Sequence, residues 1–174
     1  MAEGQFDGLI QVYTGDGKGK TTAALGQAIR AYGQGLKVIF IQFLKSQSGG
    51  EHIFADKFKL FEIIRFGKGD LFQKSEQELL QETREAYEFA KKAMVSGKYD
   101  LVVLDEIFIA HWRGFLSLQQ IIDLMQMKPG NVELIMTGRK APQEVVKRAD
   151  LVTEMLVIKH PFAEGVQQRR GIEY

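Results

Sequence analysis

Residues 14–22 read Thr-Gly-Asp-Gly-Lys-Gly-Lys-Thr-Thr. Residues 9–13 before this stretch form an apolar run typical of a buried strand, and residues 23–30 after it are typical of a helix. A strand, a glycine-rich turn, Lys-Thr and a helix together form the context of a phosphate-binding loop, in which backbone N–H groups and the helix N-terminus face an anion. This pattern predicts a nucleotide-binding site formed by Gly15, Asp16, Gly17, Lys18, Gly19, Lys20, Thr21 and Thr22.

The loop departs from the usual pattern, Gly, four residues, Gly-Lys-Ser/Thr, at one position. Thr14 stands where the first glycine is expected. Lys20 is positioned to reach the outer phosphates of a nucleotide, and the Thr21 hydroxyl to hold a magnesium ion. The alternative is a glycine-rich turn without a ligand. Lys-Thr-Thr directly after a strand is hard to obtain by chance, and this favours the phosphate-binding interpretation.

Composition sets the broad class of the protein. The chain has 174 residues, of which 45% are hydrophobic and 26% charged, and this suits a single globular domain over residues 1–174. A formal net charge of +1 gives no sign of a surface that binds nucleic acid.

Cysteine usage and the N-terminus bear on the compartment. The chain has no cysteine, which excludes disulfides and thiolate metal sites and fits a reducing cytoplasm. Its first residues lack the basic region and apolar core of a secretory signal, and no apolar run approaches the ~20 residues that span a bilayer. We therefore expect a cytoplasmic protein without a membrane partner.

Apolar strand-like runs alternate with amphipathic helical stretches along the whole chain. This alternation predicts an α/β fold with a doubly wound, mostly parallel sheet, like that of phosphate-loop NTPases of the RecA-like type. Ser75 and Glu78 form a capping box at the start of the clearest helix, and the polar residues 44–50 suggest a mobile loop. The further predicted strands are 38–43, 61–66, 101–106, 132–137 and 151–158, and the further helices are 75–95, a stretch from 118 that stops at 129–130, and 141–149.

An acidic pair closes the fourth predicted strand. Asp105 and Glu106 follow the apolar residues 101–104, where a second motif of a phosphate-loop protein places carboxylates next to Thr21. Hard cations bound to phosphates select such oxygen ligands, so the pair predicts a magnesium site. The alternative is an acidic helix start, where Asp and Glu are also favoured.

Other polar side chains give weaker signals. Arg139 follows the fifth predicted strand and can bind phosphate oxygens through its guanidinium, although a solvated surface arginine is the alternative. The histidines, at 52, 111 and 160, lack the spacing of a metal site, and each is more often an ordinary surface or hydrogen-bonded residue. Trp112 is expected in the core or at an interface.

The chain resembles the corrinoid adenosyltransferases of the phosphate-loop type, which make adenosylcobalamin from ATP. The phosphate loop alone is shared with many families, whereas the ordered set of segments that ends in Gly-Ile-Glu-Tyr is much more specific. The matching segments are residues 14–24, 41–45, 102–106, 137–139, 149–155, 159–166 and 171–174.

The resemblance implies an unusual reaction for this fold. Cob(I)alamin, or cob(I)yrinic acid a,c-diamide, attacks the ribose C5′ of ATP, and triphosphate leaves without phosphoryl transfer. The loop holds the leaving triphosphate end, with Lys20 stabilising its charge. Thr21 and Glu106 hold Mg²⁺. The resemblance further implies a homodimer and a reductant such as a flavodoxin-like protein.

The corrinoid site carried over from the family is the least complete match. The family commonly has a Gly-x-Gly-Phe-Thr-Trp stretch after the third strand, where this chain has Asp70 in place of one aromatic residue and Phe72 in place of the tryptophan. The resemblance nevertheless assigns Asp70, Phe72 and His160 to corrinoid binding, with Phe72 part of a dry wall beside the ring. Phe72 is alternatively a staple residue that anchors the helix after Ser75.

Two other functions remain open from the residues alone. One is an ordinary phosphate-loop ATPase or kinase that uses Lys20, Thr21 and the acidic pair in phosphoryl transfer. The other is a non-enzymatic, nucleotide-gated module that hands over a corrinoid. The products separate these functions: triphosphate for the adenosyltransferase, ADP and phosphate for the ATPase, and an intact nucleotide for the module.

Overall fold

A computed structural model describes residues 7–45, 48–67 and 73–173. Within these ranges, strands and helices alternate along the chain, as the sequence predicts. The strands are β1 (Ile10–Thr14), β2 (Val38–Phe43), β3 (Glu62–Phe66), β4 (Leu101–Asp105), β5 (Glu133–Thr137) and β6 (Leu151–Glu154). The helices are α1 (Lys20–Gly33), α2 (Gly50–Phe58), α3 (Glu76–Val95), α4 (Ile107–Trp112), α5 (Leu118–Met127) and α6 (Gln143–Val146), followed by a 3-10 helix (Pro161–Glu164).

The six strands form one sheet in the order β3-β2-β4-β5-β1-β6, and every neighbouring pair is parallel. The predicted α/β fold with a doubly wound sheet is therefore confirmed. Because the strands are parallel, their carboxyl ends meet at one edge. The register places Gln42 of β2 beside Asp105 of β4, and Tyr13 of β1 beside Thr137 of β5, at that edge.

Both faces of the sheet are covered, which explains why its central strands are apolar without alternation. One face packs under α1, where the small residues Ala24, Ala28 and Ala31 let the helix approach Phe40 and Val103. The other face, which carries Ile39, Ile41, Phe43, Val102, Leu104, Leu134 and Met136, packs under α3, α4 and α5.

The helix ends follow local sequence signals. The Ser75 hydroxyl accepts the Glu78 N–H, and the Glu78 carboxylate accepts the Ser75 N–H, so the predicted capping box is confirmed. Ser117 and Gln120 form a second capping box at the start of α5. None of the helices in the described ranges is long and apolar enough to cross a membrane.

Several boundaries differ from the prediction. Gly50 was expected in a loop, but it is the first residue of α2, and α4 was not predicted. Both helices are short, with nine and six residues, so neither carries a long periodic pattern. The last strand ends at Glu154 rather than near residue 158. It is exposed at the edge of the sheet and, among the described strands, pairs with β1 alone.

Candidate nucleotide-binding site

The phosphate-binding loop packs against the chain segment that follows β6. The Gly17 N–H donates to the Met155 carbonyl at 2.7 Å, and the Met155 N–H donates to the Thr14 carbonyl at 2.9 Å. A Cβ atom at Gly15 would lie 2.4 Å from the Met155 oxygen, and one at Gly17 would lie 2.7 Å from it. These positions require glycine because another backbone occupies the space of a side chain.

Thr14, the departure from the usual loop pattern, ends β1 as an extended residue. It is not among the described non-glycine residues with positive φ, whereas Gly15 and Gly19 have φ of 96° and 118°. The Thr14 hydroxyl accepts the Ala141 N–H at 3.2 Å. A threonine is therefore compatible with the loop, because the left-handed turn begins one residue later.

Lys20 begins α1 and is almost fully buried. Its ammonium donates to the Gly17 carbonyl at 2.8 Å, inside the curve of the loop. Burial lowers the pKa of Lys20, and the nearby Glu106 carboxylate opposes this shift. Arg139 makes a long contact of 3.4 Å with Asp16, and both side chains are more than half exposed. The pair contributes little to stability, so the guanidinium is free to turn towards a phosphate.

Asp105 is the buried centre of the site. Its Oδ1 accepts hydrogen bonds from the Thr21 hydroxyl at 2.9 Å and the Thr137 hydroxyl at 2.6 Å, and its Oδ2 accepts from the Gln42 amide at 3.1 Å. Burial raises the pKa of Asp105, and these three donors lower it. Because Thr21 donates its hydroxyl hydrogen to Asp105, the oxygen lone pairs of Thr21 remain available for a cation.

Glu106 caps α4 in a strained conformation. It has a left-handed backbone (φ 61°), and its N–H donates to the Thr137 hydroxyl at 3.0 Å. Burial, and then the Asp105 charge, raise the pKa of Glu106 to about 7. Its Oε2 is shielded from solvent and has no hydrogen-bond partner among the described residues. Such an orphaned oxygen is a candidate cation ligand.

These groups fit magnesium. No cluster of three or more His, Cys, Asp or Glu side chains that could hold a metal occurs in the described parts of the chain. Magnesium usually needs only one or two carboxylates, because substrate phosphates and water complete its octahedron. The Thr21 hydroxyl and the free Glu106 oxygen are ligands of the required kind.

A pocket of about 880 Å³ opens above these residues, within the range of small-molecule sites. Its other wall is the C-terminal segment, residues 156–173, which includes His160. Lys18 of the loop binds this wall through the Glu173 carboxylate at 2.9 Å and the Ile172 carbonyl at 3.2 Å. Hydrogen bonds from Arg169 and Lys18 lower the pKa of Glu173 to about 2.

Most predicted site residues line this one pocket. Gly15, which packs against the Met155 backbone, and Asp105, which contacts Thr21, are not part of its lining. Asp70 and Phe72 lie outside the described residues. The predicted residues that line the pocket are Asp16, Gly17, Lys18, Gly19, Lys20, Thr21, Thr22, Glu106, Arg139 and His160.

Three residues at the site were not assigned a role from the sequence: Gln42, His52 and Thr137. Gln42 is a fully buried polar residue within an apolar strand, and that exception was the available signal. Trp112, expected in the core or at an interface, is 58% exposed, and the Lys140 ammonium lies 4.1 Å from its ring centroid.

The parallel sheet, the glycine-rich loop after β1 and the acidic pair after β4 are together typical of phosphate-loop nucleotide-binding proteins. Residues 6–174 match the family model of the ATP:corrinoid adenosyltransferases BtuR/CobO/CobP. The chain therefore belongs to this family, and it is an enzyme of the corrinoid adenosyltransferase class.

Curated relatives agree over nearly the whole chain. A corrinoid adenosyltransferase of Pseudomonas aeruginosa is 33% identical over 172 residues, covering 96% of this chain and 84% of the relative. One of Escherichia coli is 34% identical over 169 residues, covering 96% and 86%. The corrinoid adenosyltransferase CobA of Salmonella typhimurium is 33% identical with the same coverage.

The close approach of Gly17 to Met155 predicts a local stability effect. Gly17→Ala should lower the free energy of unfolding by at least about 1 kcal/mol, because the new Cβ atom overlaps a backbone carbonyl. Gly26→Ala is the matched control: no atom lies within 4 Å of its added Cβ, and alanine favours the helix by about 1 kcal/mol. Denaturant unfolding measures both. Equal effects of the two substitutions would contradict the packing account.

The raised pKa of Glu106 predicts a pH-dependent stability difference. A folded-state pKa of about 7 against an ordinary 4.5 costs the folded state up to about 3 kcal/mol once the carboxyl ionises. Glu106 stays protonated to a higher pH in the native state than in the unfolded chain. The stability that protonated Glu106 contributes to the native state is therefore lost as the pH rises from 4.5 to about 7. Glu106→Gln should therefore gain stability relative to wild type between about pH 5 and about pH 8. Parallel stability curves for the two proteins would refute the shift.

Proposed function

We propose that the protein transfers the 5′-deoxyadenosyl group of ATP to the cobalt of a reduced corrinoid and releases triphosphate. The observation that carries this proposal is the family match over residues 6–174. Within these residues, the phosphate loop, Glu106 and the C-terminal segment line one pocket. Cob(I)alamin and cob(I)yrinic acid a,c-diamide are the candidate acceptors. The cobalt of such an acceptor is itself the nucleophile, so no protein general base is required.

The loop residues are proposed to hold the triphosphate as the leaving group. The Lys20 ammonium lies within the curve of the loop, held by the Gly17 carbonyl, and is positioned to move onto a phosphate oxygen. Arg139, which is only loosely paired with Asp16, offers a second cation. Negative charge builds up on the triphosphate as the C5′–oxygen bond breaks, and fixed cations there lower the barrier.

Magnesium is proposed to bind Thr21 and Glu106. When bound, it would neutralise part of the triphosphate charge. Glu106 is favoured over Asp105 as the direct ligand, because both Asp105 oxygens accept hydrogen bonds while the Glu106 Oε2 has none from the described residues. Asp105 is then the residue that orients Thr21 rather than the principal ligand.

The corrinoid is proposed to bind beside the C-terminal segment. His160 lines the pocket together with exposed apolar side chains of the same segment. Among these, Ile158 is 90% exposed and Phe162 is 66% exposed. A flat macrocycle offers the apolar surface that such side chains bury. The assignment of Asp70 and Phe72 to the same ligand stays a prediction from the resemblance.

The protein is further proposed to act as a cytoplasmic homodimer with a separate reductant, such as a flavodoxin-like protein. Four large apolar side chains are exposed on α1 and α2, namely Ile29, Ile53, Phe54 and Phe58. A second copy of the protein would cover such a surface. The absence of cysteine fits a reducing compartment. A reductant is required because only the reduced cobalt is nucleophilic.

A product assay tests the proposed reaction. Incubation with ATP, magnesium and chemically reduced cob(I)alamin should give a light-sensitive cobalt–carbon product and one triphosphate for each adenosyl group transferred. Lys20→Ala is the control, because it alters the phosphate-binding loop and leaves the residues proposed to bind the corrinoid unchanged. It should lower turnover by at least about tenfold, since it removes a charge-assisted phosphate contact. Stoichiometric ADP without a cobalt–carbon product would refute the proposal and point to phosphoryl transfer.

A further inference from the structure

The hydrogen bonds around Asp105 continue away from the pocket towards α2. The amide nitrogen of Gln42 donates to Asp105. The amide oxygen of Gln42, Oε1, lies 2.7 Å from His52 Nε2. On the other side of the ring, His52 Nδ1 accepts the Gly49 N–H at 2.9 Å. Gln42 and His52 are both buried, at 0% and 6% exposure, so water does not compete for these bonds.

The Gly49 contact assigns the donors and acceptors along this hydrogen-bond network. Because His52 Nδ1 accepts a backbone N–H, the hydrogen of the neutral ring lies on Nε2 and is donated to Gln42 Oε1. The amide nitrogen of Gln42 must then face Asp105, as its contact of 3.1 Å requires. A flipped amide would instead place an oxygen against the carboxylate.

The environment of His52 favours the neutral ring on which this hydrogen-bond network depends. Burial lowers the pKa of His52, and Arg65 and Lys45 act in the same direction, whereas the Glu51 carboxylate, 3.6 Å from Nδ1, raises it. The net shift is downward, which favours the neutral ring with one donor and one acceptor.

We propose that His52 is a positioning residue for the magnesium end of the nucleotide site. It holds the Gln42 amide against Asp105, and Asp105 in turn holds the Thr21 hydroxyl with its lone pairs towards the cation and the phosphates. The first turn of α2 is thereby connected to the phosphate-binding loop through buried side chains. This inference rests on the proposed magnesium site and adds a residue that lies outside the pocket.

A purely local role for His52 is the competing explanation. Its Nδ1 bond to Gly49 caps the start of α2, and that bond alone would account for the burial of the ring. The two roles use different ring nitrogens. They are therefore separable by substitutions that preserve one nitrogen position each.

His52→Asn and His52→Gln make this separation. The amide oxygen of Asn is the same number of bonds from Cα as Nδ1 of His. His52→Asn therefore retains an acceptor for the Gly49 N–H but loses the donor to Gln42. The Gln amide corresponds to Nε2 and keeps a donor for Gln42. Calorimetric titration of the full-length variants with ATP, with and without Mg²⁺, measures the effect, and thermal unfolding confirms that each variant is folded.

The proposal predicts a specific order of affinities. With magnesium, His52→Asn should bind ATP about threefold to tenfold more weakly than wild type, the effect of one misplaced buried hydrogen bond. His52→Gln should stay within about twofold, and without magnesium all three proteins should bind ATP alike. The reverse order, with Asn unaffected and Gln weakened, would show that His52 only caps α2.

Three further outcomes are distinguishable from one another. If wild-type affinity for ATP is the same with and without magnesium, the magnesium site is rejected, and the inference with it. If wild-type affinity depends on magnesium but His52→Asn binds as tightly as wild type, only the role of His52 is rejected. A wild-type protein that binds ATP as expected but forms no cobalt–carbon bond would refute the proposed reaction and leave the role of His52 standing.

Discussion

The carboxylate of Asp105 is the interaction on which the site depends. It is buried at the end of β4 and accepts hydrogen bonds from Thr21 of α1, Thr137 of β5 and Gln42 of β2. Four elements are thus joined at one pair of oxygens. Removing a buried charge from water is costly unless donors replace the solvent, and three donors do so here. The loop, the acidic pair and the sheet edge are held in register by this arrangement.

Much of the fold was predictable because its causes are local. The central strands are apolar runs since both faces of the sheet are covered, and β2 was predicted at its observed bounds, Val38–Phe43. The phosphate loop was predictable despite Thr14, because the residues that need glycine or a charge are all present between Gly15 and Thr21. Parallel strands then place Asp105 beside this loop at the carboxyl edge.

The remaining features depend on contacts between segments that are distant in sequence. The contacts of Gln42 and His52 depend on strand register and on the position of α2, neither of which a single residue pattern encodes. At the level of sequence, the proposal that Glu106 rather than Asp105 binds a cation directly rested on the family resemblance. The structure adds a physical reason, because the hydrogen bonds go to Asp105 and leave an oxygen of Glu106 unpaired among the described residues.

The most direct test of this account is a double-mutant cycle between Asp105 and Thr21, read out as the free energy of magnesium-ATP binding. Asp105→Asn removes the charge, Thr21→Val removes the hydroxyl, and the double variant removes both. If Asp105 acts by orienting the Thr21 hydroxyl, the two substitutions should couple by roughly 0.5–3 kcal/mol, because their contact at 2.9 Å is the means of action. Additive effects would show that the two residues bind the nucleotide independently and would contradict the account.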